Sequence, residues 1–173
     1  QGYEIVEDMY SAFPEVTEIA GASHVPGIGN LRDTEIRLEM EDEPINAHSF
    51  SISPSYIKTM GLDIIAGNDF PEVMNTKNEI FVILSELAVE TLGFESADQA
   101  VGKSIILEDS LNLEIRAVVK DYKYCFLLMP FRPLVLRIKE SDYNVAALRI
   151  NTMDMASTVN KFKAKWKDID PDH

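Results

Sequence analysis

Three histidines, one cysteine and 29 acidic side chains are the residues of this 173-residue chain that could carry nucleophilic, metal or proton-transfer chemistry. Nucleophilic catalysis needs a nucleophile, a base and a group that orients the base. His24, His48 and His173 lie in no such motif. His24 and His48 fall in segments that read as strands able to pair, which would suit a two-histidine metal site. Histidines held by hydrogen bonds in a core or on a surface are the simpler account. Cys125 sits within Phe126-Leu127-Leu128-Met129 and reads as a small buried hydrophobe, with no cations beside it to stabilise a thiolate. A single cysteine forms no internal disulfide and no zinc cluster.

The carboxylates are numerous but unpatterned. Glu39, Glu41, Asp42 and Glu43 read as a solvated turn, and Asp168, Asp170, Asp172 and His173 as a solvated end. Sequence spacing does not fix the distance between two carboxyls that glycoside hydrolysis requires. Gly27-Ile28-Gly29-Asn30-Leu31-Arg32 begins like a dinucleotide loop, yet a third glycine is missing and strand residues follow where a helix should start. It reads as a turn. Tyr122-Lys123-Tyr124-Cys125-Phe126 interleaves aromatics with one base, too short a run to stack nucleic acid bases. No cofactor or metal is expected.

Composition narrows the class. Apolar residues make up 46% and charged residues 26%, values of a globular chain. Residues 1–102 carry 4 basic and 19 acidic side chains, and residues 103–173 carry 12 and 10, within a total net charge of −13. Phosphate backbones need clustered positive charge, so nucleic acid is not an expected partner, and an anionic membrane surface is disfavoured likewise. The apolar runs Ile80 to Leu84 and Cys125 to Phe131 fall far short of the ~20 residues that span a bilayer. No signal peptide is evident after Gln1, and the chain reads as an excised piece.

Stepping along the residues, Ile5, Val6, Met9, Tyr10 and Phe13 give a helix over Tyr3 to Phe13, stopped by Pro14. Strands follow at Val16 to Val25, around Ile36 to Met40, and at Ile45 to Ile52, the last two as a hairpin. Ser53 before Pro54 predicts a capped helix that Gly61 closes, then a strand at Leu62 to Ala66 and a long polar connection to Asn78. Ile80 to Leu84 is apolar throughout, as a strand buried on both faces would be. Ser85 caps a helix ending at Gly93, and Ser96 with Gln99 makes a capping-box pattern before Gly102. Lys103 to Glu108 and Leu113 to Val119 form a second hairpin; Leu134 to Ile138 and Asn144 to Ile150 are strands. Met155, Val159, Phe162, Trp166 and Ile169 stripe a terminal helix. Hairpins dominate, so the class is α+β.

Several of these segments together resemble the extracytoplasmic core domain of MacB-like and FtsX-like ABC transporter permeases. They are Tyr56-Ile57-Lys58-Thr59-Met60-Gly61-Leu62 running into Ala66-Gly67-Asn68-Asp69-Phe70, then Val82 to Ala88 with Leu92-Gly93, then Ala100 to Ile105, and Ile115 to Tyr122. Asn68, Ser85 and Ala117 depart from the residues usual in that family. The resemblance implies a two-lobed domain: a βαβ-type, ferredoxin or porter-like lobe from residues 1–66 and 140–173, and a smaller inserted lobe at 67–139. It also implies placement between two transmembrane helices of a bacterial inner-membrane permease, on the periplasmic side, without catalysis. Helices at both ends would act as levers of roughly 16 and 22 Å, carrying movement driven by a cytoplasmic ATPase subunit. Further implied partners are the transmembrane helices of the same permease, a second permease half or copy, and a membrane fusion protein or lipoprotein.

Two other readings stand beside it: a soluble ligand-binding or sensor domain, and a hydrolase using two of the carboxylates. For contact with partners the candidates are Gly27, Ile28, Asn30 and Arg32 in the first loop, and Tyr122, Tyr124, Phe126 and Phe131 in the aromatic segment.

Overall fold

The computed structural model describes residues 2–28, 31–71, 79–125 and 129–168. The chain runs α1 (Gly2–Ser11), β1 (Val16–Ala22), β2 (Arg32–Arg37), β3 (Ile45–Ser51), α2 (Tyr56–Met60), β4 (Ile64–Gly67), β5 (Phe81–Ser85), α3 (Glu86–Thr91) and α4 (Ala97–Ala100). It continues through β6 (Ser104–Leu107), β7 (Leu111–Val119), β8 (Leu134–Arg137), a 3-10 turn (Glu140–Asp142), β9 (Val145–Ile150) and α5 (Met155–Trp166). The α+β class expected from the hairpins holds.

Seven strands join in the order β4-β7-β5-β8-β3-β2-β6, and β6 pairs with β7 as well. Six of them therefore close into a ring. The long strand β7 bonds to β5 along one edge, while β6 and then β4 share the other. Closure removes the open edges that a flat sheet would present. Alternation along each strand then sorts the side chains. Ile36, Ala47, Val82, Leu84, Ile105, Leu107, Leu113, Ile115 and Val135 form one buried cluster, to which α3 and α4 add Ala88, Val89, Leu92 and Ala100. Phe50, Ile52, Ile83, Ala117, Val119, Leu134 and Leu136 face the other way and are covered by Ala20 and Ala22 of β1, Tyr56 and Ile57 of α2, and Tyr124 and Cys125.

A separate layer holds the ends of the chain. β1 and β9 pair antiparallel from Val16↔Ile150 to Ala22↔Val145. Against them α1 and α5 contribute Tyr10 and Phe162 to a small third cluster with Ile19. The division expected at residues 67 and 139 does not coincide with the sheets. β2 and β3 hydrogen-bond to β6 and β8, and β4 to β7, so residues on both sides of 67 build one ring.

Local signals act where the sequence placed them, with one exception. Ser85 Oγ accepts the Ala88 N–H at 3.2 Å to cap α3, Ser96 Oγ accepts that of Gln99 at 3.4 Å, and Gly61 ends α2 with φ 67°. The Gln99 amide oxygen accepts from Glu95 N–H, so only half of the capping box forms. The exception is Ser53: its hydroxyl accepts the Gly21 N–H at 3.0 Å, tying α2 to β1, and α2 starts only at Tyr56.

Gly67 ends β4 at φ 77°, where a Cβ would lie 2.2 Å from the Arg116 carbonyl oxygen. Both strain and overlap oppose a side chain there, so Gly67→Ala should lower unfolding stability by about 3 kcal/mol in urea denaturation. Gly93→Ala, with φ 87° and open space around it, should cost only about 1 kcal/mol.

Candidate functional site

The two segments singled out for partner contact meet. Gly27 N–H donates to the Tyr124 carbonyl at 2.9 Å, joining the loop after β1 to the stretch between β7 and β8. Ile28 is 70% exposed and bridges back to Val25, itself 39% exposed. On the other segment Met129 and Phe131 are 45% and 43% exposed. Lys123 Nζ lies 4.3 Å from the Phe131 ring centre, a cation held over an aromatic face. Asn30 and Phe126 lie outside the described residues.

Tyr124, one of the candidates for partner contact, turns inward. Its ring packs edge-on to Phe50, His48 and Phe131, and only 2% of the residue is exposed. Covering the outer face of β3 and β8 is worth more to this aromatic ring than solvent contact. Its hydroxyl donates to the Arg132 carbonyl at 2.7 Å and accepts from Arg132 N–H at 3.3 Å. The remaining contact, to His48 Nδ1 at 2.9 Å, then assigns the proton to Nδ1. Tyr122 is half-buried, and its hydroxyl is pushed well above its ordinary pKa by burial beside Tyr56. Arg32 points to another feature: it pairs with Glu108 at 3.2 Å and Asp142 at 3.1 Å.

Those acids belong to a charged end of the ring, where β3 and β8 finish and β2 and β5 start. Arg137, 2% exposed, donates through Nε to Glu79 at 2.9 Å and through Nη2 to the same carboxylate, with Glu108 3.6 Å from Nη1. Asp142 also receives Lys139 at 3.2 Å and the Ser51 hydroxyl at 3.3 Å. Hydrogen bonds from Lys139, Ser141 and Ser51 outweigh its partial burial and lower its pKa. Opposite charges are matched here, which fits a structural fastening rather than proton transfer.

The metal reading of the histidines is not supported. His24 stacks on Phe50 and bonds to Ser23, His48 is engaged by Tyr124, and no group of three metal-ligating side chains occurs among the described residues. Cys125 is free and buried, as its neighbours suggested.

No family model matches the sequence, and no curated protein matches it. Solved structures do. The chain superposes on the periplasmic region of MacB from Actinobacillus actinomycetemcomitans over 94% of its own length and 71% of the other, with a TM-score of 0.67 at 13% identity. The fold is that of the MacB-type periplasmic domain. The extracellular domain of the noncanonic ABC-type transporter YknZ from Gram-positive bacteria shares it, with a TM-score of 0.59 at 14% identity over 92% and 76% of the two chains. So does a permease domain from Porphyromonas gingivalis, with 0.64 at 12% over 94% and 74%. In this MacB-type fold the Gly27–Tyr124 hydrogen bond joins two segments, distant in sequence, that each carry exposed apolar side chains.

Two outcomes test that joint. Tyr124→Phe leaves the Arg132 carbonyl and His48 Nδ1–H without their partner, and should cost about 2 kcal/mol in urea denaturation. Burial, with the Arg132 cation and His24, holds His48 below its usual pKa of 6.5, while Asp33, 3.5 Å from Nε2, opposes them. A histidine depressed in the folded state contributes fully above pH 6.5, and that contribution is lost as pH falls through its folded value. Stability followed from pH 7 to 5 should therefore fall more in the parent protein than in His48→Gln.

Proposed function

We propose that the chain is the extracytoplasmic domain of an ABC-type permease, lying outside the cytoplasmic membrane and transmitting movement without catalysis of its own. The observation that carries this reading is the pairing of the terminal helices. Gly2 and Tyr3 of α1 line the same cleft as Trp166 of α5, the Tyr10 and Phe13 rings pack on Phe162, and Glu15 pairs with Lys161 at 3.0 Å. This order of contacts makes the helices antiparallel, so the start of α1 and the end of α5 face the same cleft. Two transmembrane helices flanking such a domain would enter it at one place. No described helix is long and apolar enough to cross a membrane itself.

Displacement of those helices would reach the ring through packed, bonded joints: Tyr10 hydroxyl to the Phe162 carbonyl at 3.0 Å, Ser55 hydroxyl to Ile19, and the Ser53 bond to Gly21. Such a path moves as a rigid body. ATP hydrolysis belongs to a separate cytoplasmic subunit, and a second permease half or copy completes the transporter. On the outer side, Ile28 and Phe131, with their neighbours Val25 and Met129, form the surface for a membrane fusion protein, lipoprotein or substrate.

Apolar stretches of ~20 residues encoded just outside both ends of the parent reading frame are the first expected result; their absence on both sides would remove the lever mechanism. In the complete permease, Ile28→Asp with Phe131→Asp should reduce transport by about tenfold while lowering the thermal midpoint by only about 3 °C. Undiminished transport would show that partners engage elsewhere.

A further inference from the structure

The terminal layer leaves a cleft that its own side chains do not fill. Between α1, β9 and the end of α5 lies a hollow of about 480 Å³ lined by Tyr3, Val6, Tyr143, Ala146, Leu148 and Trp166. A second hollow, of about 430 Å³, lies beside it along α5 at Val159 and Phe162, and Tyr10 and Trp166 line both. Each is large enough for a small-molecule ligand, within the usual range of roughly 300–1,000 Å³. The second ends at Lys163 and Lys167. Neighbouring lysines are neutralised, Lys161 by Glu15 and Lys165 by Asp168 at 2.7 Å. Lys163 and Lys167 make no ion pair with a described residue.

Two adjoining apolar hollows with shared aromatic walls, and at one end two ammonium groups that have no ion pair among the described residues, are complementary to a molecule with a hydrocarbon tail and one negative charge. We propose that this cleft binds a single-chain anionic amphiphile, the tail along Val6, Leu148 and Trp166 and the head group at Lys163 and Lys167. The proposal rests on the cleft and holds or fails independently of the transporter reading. Neither the ring nor the joint at Gly27 takes part.

Trp166 is the only tryptophan in the chain and borders both hollows, so its emission reports occupancy directly. Dodecanoate, titrated below its micellar concentration into the 173-residue chain, should give a saturable blue shift. Dodecyltrimethylammonium, with the same tail and the opposite charge, should bind roughly tenfold more weakly. The double variant Lys163→Glu, Lys167→Glu changes exposed positions only and should invert that preference. Ala146→Phe, which fills the first hollow, should abolish the shift while circular dichroism stays unchanged. No saturable change with dodecanoate would overturn the proposal. Equal response to both head groups that charge reversal leaves unaltered would also overturn it, marking adsorption of detergent to apolar surface.

Discussion

Closure of the six-stranded ring depends on β8. This four-residue strand runs parallel to β3 and antiparallel to β5, and without it the two arcs of the ring have no seam on that side. Every one of its residues is buried, Leu134 and Leu136 toward the outer cover and Val135 and Arg137 toward the interior. A strand so placed must be apolar on both faces and must be covered on both. Inside, the cover is the opposite wall of the ring with α3 and α4. Outside, it is β1, α2 and the stretch around Tyr124, and this requirement is what draws the terminal layer and the aromatic segment onto the ring.

Arg137 is the charged exception in that strand. Burying a guanidinium is costly unless a carboxylate and further acceptors meet it, and removing one partner from such a pair costs about 3–5 kcal/mol. Glu79 precedes β5 and Glu108 lies in the turn between β6 and β7, so the acids that pair with Arg137 come from both sides of the ring. Arg32 links Glu108 onward to Asp142, at the entry to β9. The same few charges thus fix the ring's open end and the approach of the terminal layer, which accounts for acidic residues in the sequence that belong to no active site.

What was legible in the sequence was local. Hairpin β6–β7 followed from alternation and turns, as did the pairing of β2 with β3, although β2 occupies Arg32–Arg37 and Leu38 to Met40, expected in the strand, lie in the turn. Helix ends followed from Ser85, Ser96, Gly61 and Gly93, and the two-sided burial of β5 from an unbroken apolar run. The resemblance carried by Tyr56 to Phe70 and Ile115 to Tyr122 reached the fold that the solved structures share. Long-range pairing was not legible: nothing in residue 48 announces residue 134 beside it, and a polar connection after 67 suggests a boundary between lobes there, although β2 and β3, which precede it, belong to the ring. Of the candidate contact residues, Ile28 and Phe131 are exposed, whereas Tyr124 is a brace. The pattern of an aromatic run does not say which ring a distant strand will claim. The charged end, where Arg32 is the one candidate contact residue, forms only when β2, β5, β6 and β8 come together.

The position of β8 in the chain has a consequence for synthesis. It is the eighth of the nine strands among the described residues, and the segment that must lie over it, around Tyr124, is made only just before. A nascent chain therefore exposes the apolar flanks of β3 and β5, both already made, until Arg137 has left the ribosome, and β1 waits longer still for β9. The domain is obliged to fold as a finished length rather than piece by piece, so any pause in translation between β5 and β8 prolongs the interval in which those two edges stay open to other chains.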